Sequence, residues 1–157
     1  LTASFFFAFS QQLASQVTTK PEVSVDRLAE GLLRTMSTLM ADTQSGPDQV
    51  YSLLFHLTDN LRYPSPETHF FILLFVSMFK QAQSVNQDVS VREIITRCLL
   101  ERLIVHKPHP WGLIVAFLEI IKRGDFWSCP FTAKTPEIKR MFESVAKTCG
   151  SAKVSSV

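Results

Sequence analysis

Apolar residues recur at three- and four-residue steps along most of the chain. Val25, Leu28, Ala29, Leu32, Leu33, Met36, Leu39 and Met40 form one such stripe. Ile138, Met141, Phe142, Val145, Ala146 and Cys149 form another, with Lys139, Arg140, Glu143 and Lys147 on its polar side. Runs of alternating apolar and polar residues, the mark of a half-buried strand, are not convincing anywhere. The pattern predicts about seven helices, over 2–17, 24–41, 48–62, 66–83, 89–106, 110–123 and 135–149. A short turn through Asp125, Phe126 and Trp127 precedes the last.

Punctuation between the stripes supports these limits. Ser65-Pro66-Glu67 and Thr135-Pro136-Glu137 repeat one device. The hydroxyl caps free backbone N–H groups, proline suits the first helical position, and glutamate favours the positive helix end. Pro110 sits at another first turn. Lys20-Pro21-Glu22 and Gly46-Pro47-Asp48 separate the earlier helices, and Gly150 stands where a C-terminal cap belongs. Short linkers favour antiparallel neighbours. The expected fold class is all-α, with stacked antiparallel helix pairs of about 40 residues each, as in HEAT-like repeat domains. That repeat reading rests on helix spacing alone. Residues 1–150 are expected to form one such domain, a fragment of a longer chain, and 151–157 a flexible tail.

Composition narrows the classes of function. With 157 residues and 46% hydrophobic content, the chain can bury a core without disulfides or metals. A formal net charge of +2 creates no strong field for nucleic acid or anionic membranes. Cys98, Cys129 and Cys149 lack CxxC spacing, which fits a reducing compartment. The apolar stretch from His69 to Phe79 is about half the ~20 residues that a membrane-spanning helix needs. It reads as a buried core helix.

Constellations for chemistry are weak. His106 and His109 flank Lys107-Pro108, but the proline breaks the helix between them and nothing completes a four-ligand set. The alternative is that His106 ends a helix. Cys129 and His109 lack any local catalytic signature. No enzyme activity, catalytic residue, metal or cofactor is expected. Arg92, Glu93, Arg97, Glu101 and Arg102 line the polar side of helix 89–106 and read by default as solvated charges. Glu93 and Arg97 have the better orientation for an ion pair. Trp111, Phe126, Trp127 and Phe131 read mainly as core, and as a peptide groove in the second instance. Phe5, Phe6, Phe7 and Phe9 crowd more apolar surface than one helix face can bury.

One segment is more specific. Leu99-Leu100-Glu101-Arg102-Leu103-Ile104-Val105, then Pro108-His109-Pro110-Trp111-Gly112-Leu113, resembles the LLERLIVNRPHPWGL signature of the C-terminal domain of the Not-one scaffold subunit of the CCR–NOT deadenylase complex. Leu61-Arg62-Tyr63-Pro64 with Thr68-His69-Phe70-Phe71 is similar to a second family segment. Phe117, Glu119, Ile121 and Lys122 resemble a third, and Phe126-Trp127, Pro136-Glu137-Ile138 and Phe142 a fourth. The motifs keep one order over roughly residues 50–149. Departures fall in turns: Ser65-Pro66-Glu67, His106-Lys107 in place of Asn-Arg, and a shortened stretch at Gly124-Asp125. The resemblance implies a non-catalytic helical scaffold in mRNA deadenylation, cytoplasmic and also nuclear. It implies docking of the Not-two and Not-three/five subunits and of peptide motifs from mRNA-specific repressors, without a membrane. Candidate partner-binding residues are Arg62, Tyr63, Phe70, Phe71, Arg97 and Arg102. The alternative function is a helical-repeat RNA-binding module, which needs a basic, aromatic-studded concave face. The net charge argues against strong direct nucleic-acid binding.

Overall fold

The computed structural model describes residues 21–42, 44–82, 90–134 and 140. The helices expected over 2–17 and 135–149, the phenylalanines at 5–9, Cys149 and the tail lie outside the described residues. Seven helices are described: α1 (Pro21–Met40), α2 (Gly46–Thr58), α3 (Pro66–Gln81), α4 (Ser90–Val105), α5 (Trp111–Ile121), α6 (Gly124–Trp127) and α7 (Pro130–Lys134). Among the described residues there is no strand, and no helix is long and apolar enough to cross a membrane.

The predicted punctuation is visible in atoms. The Ser65 side chain accepts the Thr68 backbone N–H at 3.1 Å, with Pro66 opening α3. Hydrogen bonds from its own backbone N–H and from Ser65 hold the Glu67 carboxyl below its ordinary value. Helix α2 ends at Thr58, short of the expected residue 62. There the backbone tightens into three-residue turns, with Asn60 N–H donating to Leu57 and Leu61 N–H to Thr58. Helix α7 is too short to show a stripe, although Pro130 occupies its first position.

Helices α2 to α5 form two stacked hairpins. Asn60 and Thr68 join α2 to α3 across their short connection, and α3 returns to place Phe79 beside Arg92 of α4. Helix α4 runs beside α2 in the same direction, with Tyr51 meeting Glu101 and Asp59 meeting Arg102. Helix α5 packs on α3. Alternate helices therefore stack layer on layer, as in HEAT-type arrays. Helix α1 covers α3 from the other side, running against it, with Ser77 donating to Asp26 at 2.6 Å.

Helix α3 is the axis of the core. It contacts α1, α4 and α5, so it needs apolar residues nearly all round. Phe70, Phe71, Ile72, Leu74, Phe75, Met78 and Phe79 are all buried. From α1, Val25, Ala29, Leu32, Leu33 and Met36 pack in the predicted register. Two members of the sequence-derived partner set fail here. Phe70 is buried and Phe71 is 0% exposed, so they hold the core together and offer no surface. An all-round apolar helix has no polar face to tell core from surface.

Candidate docking cleft at the α4–α5 turn

The two ends of α4 carry different polar arrangements. At its start, Arg92 is only 10% exposed and is enclosed by acceptors. Its guanidinium donates to the Phe79 carbonyl at 2.9 Å, the Lys80 carbonyl at 3.3 Å and Asp125 Oδ2 at 3.1 Å. It also lies over the Phe79 ring at 4.6 Å. The Phe79 and Lys80 carbonyls belong to the last turn of α3, which a cation stabilises. Arg92 thus clamps α3, α4 and α6, which overturns its reading as a solvated charge.

Mid-helix, Arg97 Nε donates to Glu101 Oε1 at 2.7 Å and its guanidinium lies 5.5 Å from the Tyr51 ring. Tyr51 donates to Glu101 Oε2 at 2.6 Å. Arg-before-Glu is the weaker order on a helix, and the tyrosine hydroxyl holds it in place. These two bonds, Arg97 first, lower the Glu101 carboxyl. Burial, then the bond to Glu101, pushes the Tyr51 hydroxyl up to about 12.

At the end of α4 the pattern inverts. The buried register Val91, Ile95, Cys98 and Leu99 continues in helical steps to Arg102 and His106, both polar. Ile104 falls off that register, whereas Val105, seven residues after Cys98, stays on it and is nevertheless 75% exposed. Arg102, 14% exposed, donates to Asp59 Oδ1 at 2.5 Å and stacks 4.3 Å from the Phe55 ring. It too is a semi-buried clamp rather than a solvated charge. His106 N–H closes the last turn on the Arg102 carbonyl at 3.1 Å, so His106 ends the helix as expected. Yet Arg102 Nε and His106 Nε2 are both buried without a hydrogen-bond partner. Natural folds leave few such groups.

A cleft of about 440 Å³ opens at this end. Arg62, Tyr63, Arg102, His106, Lys107 and Trp111 contribute to its walls. The turn that frames it holds a cis Lys107–Pro108 bond. Gly112 explains why a glycine follows the tryptophan. A Cβ there would stand 2.8 Å from the Leu61 carbonyl carbon and 2.6 Å from Thr68 Cγ2. Instead its N–H donates to the Arg62 carbonyl at 3.2 Å, fastening α5 onto the loop that carries Tyr63.

Tyr63 (80% exposed), Ile104, Val105, Trp111 (43%) and Ile114 are the exposed large apolar residues among those described. Two of them, Tyr63 and Trp111, line the cleft. The aromatic cluster expected as core is therefore divided. Phe126 is buried, with Phe79, Trp127 and Phe131 around it, whereas Trp111 reaches the surface because proline starts its helix at the mouth of the cleft.

Of the residues proposed from sequence, the cleft gathers Arg62, Tyr63 and Arg102. Arg97 stands apart on the α2–α4 face with Tyr51. Lys107, Ile104 and Val105 are surface features that the sequence reading omits, although the register of α4 marks Ile104. Among the described residues, no cluster of three or more His, Cys, Asp or Glu side chains could hold a metal ion.

The family model described as CCR4-Not complex component, Not1, matches residues 2–146. The chain belongs to the Not1 family. It is 45% identical over 101 residues to the CCR4-NOT transcription complex subunit let-711 of Caenorhabditis elegans, covering 63% of this chain and 4% of that protein. It is 39% identical over 97 residues to general negative regulator of transcription subunit 1 of Schizosaccharomyces pombe, covering 60% of this chain and 5% of that protein. The solved NOT1 superfamily homology domain from Chaetomium thermophilum aligns with a TM-score of 0.63 and 26% identity, over 92% of this chain and 27% of that one. The chain thus spans a small fraction of the length of its Not1 relatives, and the all-helical fold expected from its motifs is the Not1 fold.

Proposed function

We propose that this domain is a non-catalytic docking platform within a CCR4-Not complex, and that it holds the Not-two and Not-three/five subunits through extended segments. Repressor peptides are a second class of occupant for the same surface. Not1 membership supports a place in the complex. The observation that carries the docking role is a cleft walled by the exposed rings of Tyr63 and Trp111 together with Leu61, Leu113, Pro108 and Pro110, because exposed apolar surface of this kind marks interaction sites. Stacked helix pairs suit extended partners, since they offer long grooves. The domain would supply position to deadenylation in the cytoplasm, not chemistry. Calorimetric titration with a Not-two/Not-three heterodimer carrying its N-terminal connectors tests the reading. Sub-micromolar binding that disappears with the connectors is the expected result. Absence of binding to the folded chain would refute it.

A further inference from the structure

We infer that the cleft at the α4–α5 turn takes an acidic residue from an extended, aliphatic-rich peptide. The inference rests on the docking-platform reading only in that both assign an extended protein segment to this domain. It is carried by charge and by surface chemistry. Among the described residues, the permanently charged members of the lining are Arg62, Arg102 and Lys107, and the lining includes no carboxylate. Asp59 stands beside it and is shared, 2.5 Å from Arg102 and 3.8 Å from Arg62. One carboxylate against three cations leaves an excess of two positive charges, before either histidine is protonated. Arg102 Nε and His106 Nε2, buried and without a hydrogen-bond partner, belong to residues of this wall. An anion seated there would share Arg102 with Asp59 and meet the exposed Arg62 and Lys107 cations, an attraction that strengthens as water leaves.

The rim selects the rest of the ligand. Tyr63 and Trp111 present exposed rings beside Leu61, Leu113, Pro108 and Pro110. Aliphatic side chains of a peptide bury well on such a surface. Nucleic-acid strands need a succession of flat stacking platforms and a track of cations along the backbone, whereas the cations here converge on one cleft. A peptide with Asp or Glu flanked by Leu, Ile or Phe fits both halves of the site.

A phage-displayed library of random peptides, panned on this chain, tests the inference. The charge-reversed variant Arg62→Glu/Lys107→Glu alters two exposed side chains, and its thermal melt is recorded as a folding control. Enriched peptides are expected to carry an acidic residue beside aliphatic ones. Their Kd, read by fluorescence anisotropy, should rise at least about tenfold on the double variant and rise with salt on the parent chain. Tyr63→Ala should weaken the same peptides without moving the melt. Enrichment without acidic residues, no enrichment, or equal affinity for parent and folded variant would overturn the inference. So would binding of a labelled oligouridylate that the double variant abolishes while no acidic peptide is enriched, which would assign the cleft to RNA. The Not-two/Not-three heterodimer is titrated against the same two proteins. Its binding to both, with no acidic enrichment, would sink the cleft inference and spare the docking platform. Acidic enrichment that is sensitive to the variant, with no heterodimer binding to either, would do the reverse.

Discussion

Arg92 and Arg102 sit ten residues apart on one helix and stack on phenylalanine rings in similar ways. Their surroundings differ. Arg92 has two helix-end carbonyls and Asp125 within reach, over the fully buried Phe79 ring. Arg102 keeps Asp59 but leaves its Nε unpaired, in a cleft it shares with an unpaired His106 nitrogen and the exposed Tyr63 and Trp111 rings. One end of α4 is completed by its own fold; the other has the polar and apolar ingredients of a contact without the contact. The comparison teaches that an arginine on a phenylalanine is not by itself a sign of function. What distinguishes the open end is unfinished hydrogen bonding together with exposed apolar surface.

The comparison breaks hardest at the closed end. Phe126→Ala should cost about 3–5 kcal/mol in urea denaturation, since the ring is fully buried among Phe79, Trp127 and Phe131. Arg92→Met keeps the stem but removes the clamp, and a loss of about 2–4 kcal/mol is expected from the same measurement. Beneath the open end, Gly112→Ala forces a methyl against the Leu61 backbone and should cost about 1–3 kcal/mol. Trp111→Ala, at the mouth of the cleft, should lower stability by no more than about 1 kcal/mol while weakening bound peptides. A large stability loss there would mean that Trp111 belongs to the core after all. The smallest effect concerns the middle of α4. The folded pKa of Tyr51 is raised to about 12, so its contribution is full below its ordinary value of about 10 and fades as pH climbs through the folded value. Stability of the parent chain should fall more steeply from pH 10 to 12 than that of Tyr51→Phe.

Much of this molecule is legible in its sequence. The three- and four-residue stripes define the buried register of α1, and the Ser65-Pro66-Glu67 punctuation locates the start of α3 to the residue. Arg62 and Tyr63 stand out through a motif, and they do face the cleft. Phe70 and Phe71 are misjudged because periodicity cannot say which side of an entirely apolar helix is covered; that depends on α1, α4 and α5 arriving around it. Arg92 reads as solvated because its acceptors come from the far end of α3 and from α6, distant in sequence. The cleft itself is half legible. Ile104 leaves the register set by Ile95, Cys98 and Leu99, and that slip can be read directly from the residue spacing; Val105, seven residues after Cys98, keeps the register, and its exposure cannot be read that way. The proximity of Asp59 to Arg102 cannot, because it arises only when α2 and α4 stack.

The bond from Gly112 N–H to the Arg62 carbonyl has a thermodynamic consequence. It ties the segment bearing Tyr63 to the helix bearing Trp111, so the two aromatic walls hold their spacing before anything arrives. A partner then meets a preformed surface, and most of the ordering entropy of association falls on the incoming segment rather than on the domain. Under the docking proposal, affinity at this cleft is set largely by how stiff the partner's segment is: a proline compatible with its extended form would tighten the complex without adding a single contact.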